Sequence, residues 1–208
     1  MRHWRSSAAN LHVKSHLCQN VRGFFTGKDV SCHLMHLIVT GIPASGKSTI
    51  ARALAEKLGL EMWDKDDILE DLFNKKGIGD LQWRTLLSRT ADGILQARAR
   101  QSESSVIVSW WRHPASTMET GTPIEWLSEL RGKLIEVNCI CDPAIAVERF
   151  KSRKRHSGHL DHLKADADLL PAFQQQAALG PLGIGQLVKV NTEVNVKIEY
   201  VLSQMESL

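Results

Sequence analysis

Gly41-Ile42-Pro43-Ala44-Ser45-Gly46-Lys47-Ser48-Thr49 decides how the rest of this 208-residue chain is read. The apolar run Leu37-Ile38-Val39-Thr40 leads into it, and Ile50 through Leu58 leaves it as a helix. The pattern is G-x-x-x-x-G-K-[ST] between a strand and a helix, the setting that gives it meaning. Gly41 and Gly46 let the backbone curl so that successive N–H groups of the loop, through Ala44, Ser45 and Thr49, face an anion. The helix opening near Lys47 turns its positive end to the same place. In this arrangement Lys47 reaches the β and γ phosphates of a nucleoside triphosphate and the Ser48 hydroxyl meets Mg²⁺. A glycine-rich turn before an ordinary helix is the plainer alternative, and the conjunction of strand, motif and helix outweighs it.

Length and composition suit one α/β domain with ample material for a core. No apolar run nears the ~20 residues of a membrane span. Four cysteines in no disulfide-like pattern indicate a reducing compartment, so a cytoplasmic location is expected. The net charge of +3 is concentrated at one end. Residues 1–34 hold Arg2, Arg5, Lys14, Arg22 and Lys28 against Asp29, a net +4, and the remainder sums to −1. A nearly neutral body argues against nucleic acid as a partner. The basic extension 1–34 has three readings: a transit peptide, a disordered tail, or an upstream extension of the reading frame with Met35 as the natural start. The third is favoured, because Met35 leads directly into the first strand.

From Met35 the pattern alternates strand and helix. Strands are expected at about 36–40, 60–64, 106–110, 133–141 and 187–190. Helices are expected at about 47–58, 66–75, 80–101, 123–130, 143–154 and 194–205. Residues 155–184 read as irregular with short helical pieces, since Gly180, Gly183 and Gly185 break anything longer. The fold class is therefore α/β, a three-layer arrangement with a doubly wound five-stranded parallel sheet and a basic lid. Ligand is expected at the C-terminal ends of the strands.

A phosphate-binding loop names the nucleotide and leaves the reaction open. A GTPase would carry N-K-x-D after a late strand, and Asn191-Thr192-Glu193 lacks its lysine and aspartate. A kinase of small molecules needs a carboxylate near the end of strand two to hold the accepting hydroxyl. It also needs a mobile basic lid that neutralises charge in the transition state. Asp64, Asp66 and Asp67 stand at the first position; Arg149, Arg153, Lys154 and Arg155 stand at the second. Helix capping accounts for one of the three acids but hardly for all.

Five stretches together carry a resemblance. They are Gly41–Thr49, Lys65–Phe73, Gly77–Asp80, Glu136–Pro143 and the run from Arg149 to Asp161. Over nearly all of the body the chain resembles small bacterial P-loop kinase-like proteins labelled AAA-family ATPases or predicted kinases. These are related to the chloramphenicol phosphotransferase, zeta-toxin and polynucleotide kinase group. The resemblance implies transfer of the γ-phosphate of ATP to a hydroxyl of a small molecule or nucleotide. It further implies Asp66 as the base and Arg149 and Arg153 as lid arginines.

One departure stands out. P-loop enzymes commonly end strand three on an acid that organises Mg²⁺, whereas this chain has Val108-Ser109-Trp110-Trp111-Arg112-His113. Metal support then falls to Ser48, to an aspartate of 64–67, or to water. The same absence sustains a rival reading, an ATP-binding regulatory module without an acceptor. A polynucleotide-end kinase is a third reading, disfavoured by the neutral body. Trp110 and Trp111 suit either an acceptor wall or the core. Arg112, Arg155 and His156 are candidate substrate contacts beside Asp64 and Asp67. His156, His159 and His162 fit no common zinc spacing with Cys139 and Cys141, and belong rather to the lid or its hinge.

Overall fold

Every residue of β1 (Met35–Thr40) is buried, as befits a strand flanked by strands on both edges and helices on both faces. The computed structural model describes residues 34–207; the readings of the basic extension fall outside the described residues. The other strands are β2 (Glu61–Asp64), β3 (Ser105–Val108), β4 (Lys133–Ile140) and β5 (Gln186–Asn191). All pair in parallel in the order β2-β3-β1-β4-β5. The order reverses at β1, so the loop after β1 lies at the switch point where open α/β sheets bind ligands.

Alternation along β1 divides the core between the two faces of the sheet. Leu37 and Val39 join one cluster with α1 (Lys47–Leu58) and α6 (Ile198–Glu206), through Leu54, Leu58, Leu202 and Met205. Ile38 joins the other with α2 (Lys65–Lys76) and α3 (Leu81–Gln101), through Leu69, Leu72, Leu87 and Leu95. Gly59, at φ 65°, stops α1 by returning its N–H to the Ala55 and Glu56 carbonyls. On β4, α4 (Pro143–Ser152) begins with Pro143 in its first turn and Asp142 as its cap. It packs on α5 (Asp166–Leu179) through Phe150 and Phe173, ring centres 5.7 Å apart.

The structure departs from the periodicity in four places. Residues 155–184 are not irregular throughout: α5 runs for 14 residues, and Gly180 ends it rather than interrupting it. Its buried face is only Leu169 and Phe173, too narrow a stripe to read as helical, and Pro171 sits inside it. β3 stops at Val108, so Ser109 and Trp110 lie beyond the strand. The stretch after Pro123 is a 3₁₀ turn, Glu125–Glu129. The closing helix starts at Ile198, four residues later than its apolar pattern implies. Among the described residues no helix is long and apolar enough to cross a membrane.

Glu136 lies buried in apolar β4. Its carboxylate accepts from the Thr40 hydroxyl at 2.8 Å and from the N–H groups of Leu182 at 2.7 Å and Gly183 at 2.9 Å. A buried carboxylate is tolerable only when satisfied in this way. It ties the loop after α5 to the central strands.

Candidate active site

The loop between β1 and α1 takes the shape its glycines permit. Gly41, Ala44 and Gly46 all have positive φ, at 131°, 58° and 87°. A Cβ on Gly41 would lie 2.5 Å from the Cys139 carbonyl oxygen, so space as well as backbone angle demands glycine. Gly46 caps α1 with no side chain to block the helix end, and Ser45 lies fully buried beneath the turn. Curled amides and a helix N-terminus make a cradle for phosphate oxygens. Lys47 bends over the loop and donates to the Gly41 and Ile42 carbonyls at 3.0 and 2.7 Å. Burial presses its ammonium down to about 8, and Arg153 acts in the same direction; Cys139, Asp66 and Asp64 oppose it.

Ser48 and Asp64 meet across the site. The Ser48 hydroxyl donates to Asp64 Oδ2 at 2.6 Å, while Asp64 Oδ1 accepts the Asp66 N–H at 2.9 Å. Asp64 thus caps α2 with one oxygen and faces the phosphate loop with the other. Burial, and next the neighbouring Asp66, push its carboxyl up to about 6; the Ser48 bond restrains the shift. A hydroxyl beside a carboxylate is a hard oxygen pair of the kind Mg²⁺ takes when phosphates and water complete its shell.

Asp66, two residues on, has different company. Arg155 forms an ion pair with its carboxylate, and also bonds to Asp161 at 3.3 Å. Burial alone would raise the Asp66 carboxyl, but Arg155 and His159 outweigh it and hold it below its ordinary value. It therefore stays ionised and able to accept a hydrogen bond. Arg153 lies 3.5 Å from Asp161 and rests on the Phe150 ring, 4.4 Å from its centre. Residues 153–164, which include most of the expected basic lid, lie against α2. They are clamped to it by His159, whose Nε2 lies 2.8 Å from Glu70, and by His156, whose ring stacks on Phe73 at 5.3 Å. Burial lowers the His159 pKa.

The remaining sequence candidates are scattered. Arg149 is not brought to Asp66: it donates to the Thr192 carbonyl at 3.0 Å and lies 3.5 Å from the Cys141 sulfur. Asp67 is exposed. Trp111 is a core residue, 6% exposed, donating to the Val39 carbonyl at 2.9 Å. Trp110 is 42% exposed. Arg112 reaches Glu125 at 3.5 Å on the surface.

Several site residues escaped the sequence reading. Arg84 donates from α3 to the His159 carbonyl at 2.9 Å. Asp161 collects Arg153, Arg155 and Lys164. Buried Lys65 pairs with Asp92 at 2.7 Å and reaches the Thr122 hydroxyl at 3.0 Å, which in turn lies 2.5 Å from Ser109. That network fastens the start of α2, and with it Asp64 and Asp66, to α3 and the end of β3. A signal existed: Arg84 continues the stripe of Leu87, Ala91 and Leu95 one turn earlier, and Asp92 adjoins it.

The AAA-domain family profile matches residues 37–177. No curated protein sequence matches. Among solved structures, a "putative kinase" from Chloroflexus aurantiacus j-10-fl is 26% identical with a TM-score of 0.66, over 83% of this chain and 97% of that one. Shikimate kinase from Bacteroides thetaiotaomicron is 18% identical with a TM-score of 0.50, over 83% and 97%. A sugar kinase from Janibacter sp. HTCC2649 is 20% identical with a TM-score of 0.50, over 83% and 92%. The last two share the fold.

Proposed function

We propose a reaction for a chain that belongs to the AAA-domain family and has the fold of small P-loop kinases. It is an ATP- and Mg²⁺-dependent phosphotransferase whose acceptor is a hydroxyl on a small molecule or nucleotide, and residues 35–208 form its catalytic domain. The observation that carries this reading is the meeting of the first turn of α1 with the end of β2: Ser48 bonded to Asp64, with Asp66 two residues on and paired with Arg155.

In this scheme the loop amides and Lys47 hold the β and γ phosphates. Ser48 and Asp64 hold Mg²⁺, which supplies charge neutralisation on the phosphate oxygens when bound. Asp64 fills the role commonly given to an acid at the end of strand three, where this chain has Ser109 bonded to Thr122. Asp66 accepts the hydrogen bond of the attacking hydroxyl and orients it. Arg153 and Arg155 offset charge gathering on the transferred group. Release of Asp66 by Arg155 then accompanies acceptor binding, since both compete for one carboxylate. Arg149, bonded to Thr192 beside Gly46, braces the loop flank instead of touching the reacting atoms.

The test is phosphotransfer from labelled ATP across a panel of hydroxyl compounds, with Lys47→Ala and Asp66→Asn as controls. Transfer should need both residues. Full activity in the Asp66→Asn protein would overturn its role. Tight ATP binding with no compound phosphorylated would favour a regulatory module.

A further inference from the structure

Around the lid, three guanidiniums and one ammonium face two carboxylates. Arg153, Arg155 and Lys164 come from the lid, Arg84 from α3, and the carboxylates are Asp66 and Asp161. The cluster holds an excess of two positive charges. Each lid cation has a carboxylate: Arg155 both of them, Arg153 and Lys164 Asp161, although the buried Nε of Arg153 has no hydrogen-bond partner. Arg84 is different. Its Nε donates to the His159 carbonyl at 2.9 Å, which orients the guanidinium plane. Among the described residues its two terminal nitrogens have no hydrogen-bond or ion-pair partner.

Partial burial of a guanidinium without a counter-ion is unfavourable. Burial and the nearby Arg155 both press the Arg84 pKa down, while Asp161 and Asp66 only partly compensate. The group still keeps its charge, because arginine does not deprotonate in proteins. Arg153 acts on Lys47 as well as on Asp66, and the scheme above gives it to the transferred phosphate. Arg84 is anchored at the His159 carbonyl, in the same segment whose Arg155 pairs with Asp66, and it also feels the charge of Asp66. Its free edge presents two N–H donors in the fork that matches a carboxylate or phosphate.

We propose that the acceptor carries an anionic group, a carboxylate or a phosphate monoester, besides its hydroxyl, and that the terminal nitrogens of Arg84 bind it. The word acceptor rests on the kinase reading above; the anion receptor itself is measurable without phosphotransfer. The full chain is first saturated with Mg²⁺ and an ATP analogue whose γ-phosphate cannot transfer, which fills the phosphate loop. Calorimetry then follows inorganic phosphate, glycolate against glycolamide, and glycerol 3-phosphate against glycerol.

Inorganic phosphate and the charged member of at least one pair should bind roughly 10–100-fold more tightly than the neutral members. The tighter of glycolate and glycerol 3-phosphate identifies the anion. Arg84→Gln, which keeps an N–H donor for the His159 carbonyl, should weaken phosphate binding about tenfold or more; Arg84→Lys, which keeps the charge but loses the fork, should recover only part of it. Equal binding of charged and neutral members by the wild-type chain, or unchanged phosphate binding in Arg84→Gln, would overturn the proposal. The pair comparison needs no variant, so misfolding of either substitution leaves it decisive. Failure of the analogue itself to bind would instead defeat the kinase reading.

Discussion

The phosphate loop and the lid face each other across Asp66, yet they are held by different kinds of contact. In the loop, Lys47 bonds to carbonyls five and six positions back, and the turn is shaped by backbone angles at Gly41, Ala44 and Gly46. In the lid, Arg84 meets His159 across 75 positions, and Arg155 meets Asp66 across 89. The first region takes its shape from local backbone geometry. The second is an assembly of charged groups from the lid, α2 and α3, in which each lid cation has a carboxylate to lose. A static cradle suits the phosphates, which bind alike in every turnover. A lid held by exchangeable pairs can release one carboxylate to meet an acceptor.

That contrast can be broken most severely at its meeting point. Asp66→Asn is expected to lower kcat by roughly 10²–10⁴ while leaving ATP affinity intact, measured by nucleotide titration and initial rates. Lys47→Ala should lose about 10²–10³ and also weaken ATP binding. If both variants changed only ATP affinity, the two regions would not be separable as drawn.

Asp64 sharpens the comparison through pH. Its folded carboxyl, at about 6, lies above the ~4 of an unfolded aspartate, so the folded state holds that proton more tightly. Its contribution is most favourable below about 4 and is lost as pH rises through about 6. Asp64→Asn should therefore stabilise the nucleotide-free protein by about 1–3 kcal/mol at pH 7.5, with little gain near pH 4. Denaturant unfolding at the two pH values checks this, alongside a loss of Mg²⁺-dependent transfer. A variant less stable at pH 7.5 would show that the Ser48 bond outweighs the burial.

On the lid side, a Cβ added to Gly158 would lie 2.5 Å from the Phe73 ring. Gly158→Ala should destabilise by about 1–3 kcal/mol and loosen the lid, raising KM for the acceptor more than for ATP. The smallest effect is expected at Arg112, whose partner Glu125 is exposed. Arg112→Ala should change stability by under about 1 kcal/mol. A large loss of activity there would bring the loop after β3 into the acceptor pocket.

The sequence by itself was enough for the parallel α/β architecture, the phosphate loop and the acids after β2. Each depends on residues close together in the chain: alternating apolar strands, glycines at set offsets, a capping aspartate. It also pointed to a basic lid. The tertiary structure decided the rest. It separated Asp64, turned to Ser48, from Asp66, turned to Arg155, although the two are chemically identical and only two positions apart. It turned Arg149 toward Thr192, and it brought Asp161 and Arg84 together at the site, the latter from a position marked only by the buried stripe of α3. Charge pairing has no period along the chain; it depends on which helix ends the sheet brings within a few ångströms, and that distance exists only once the core has packed.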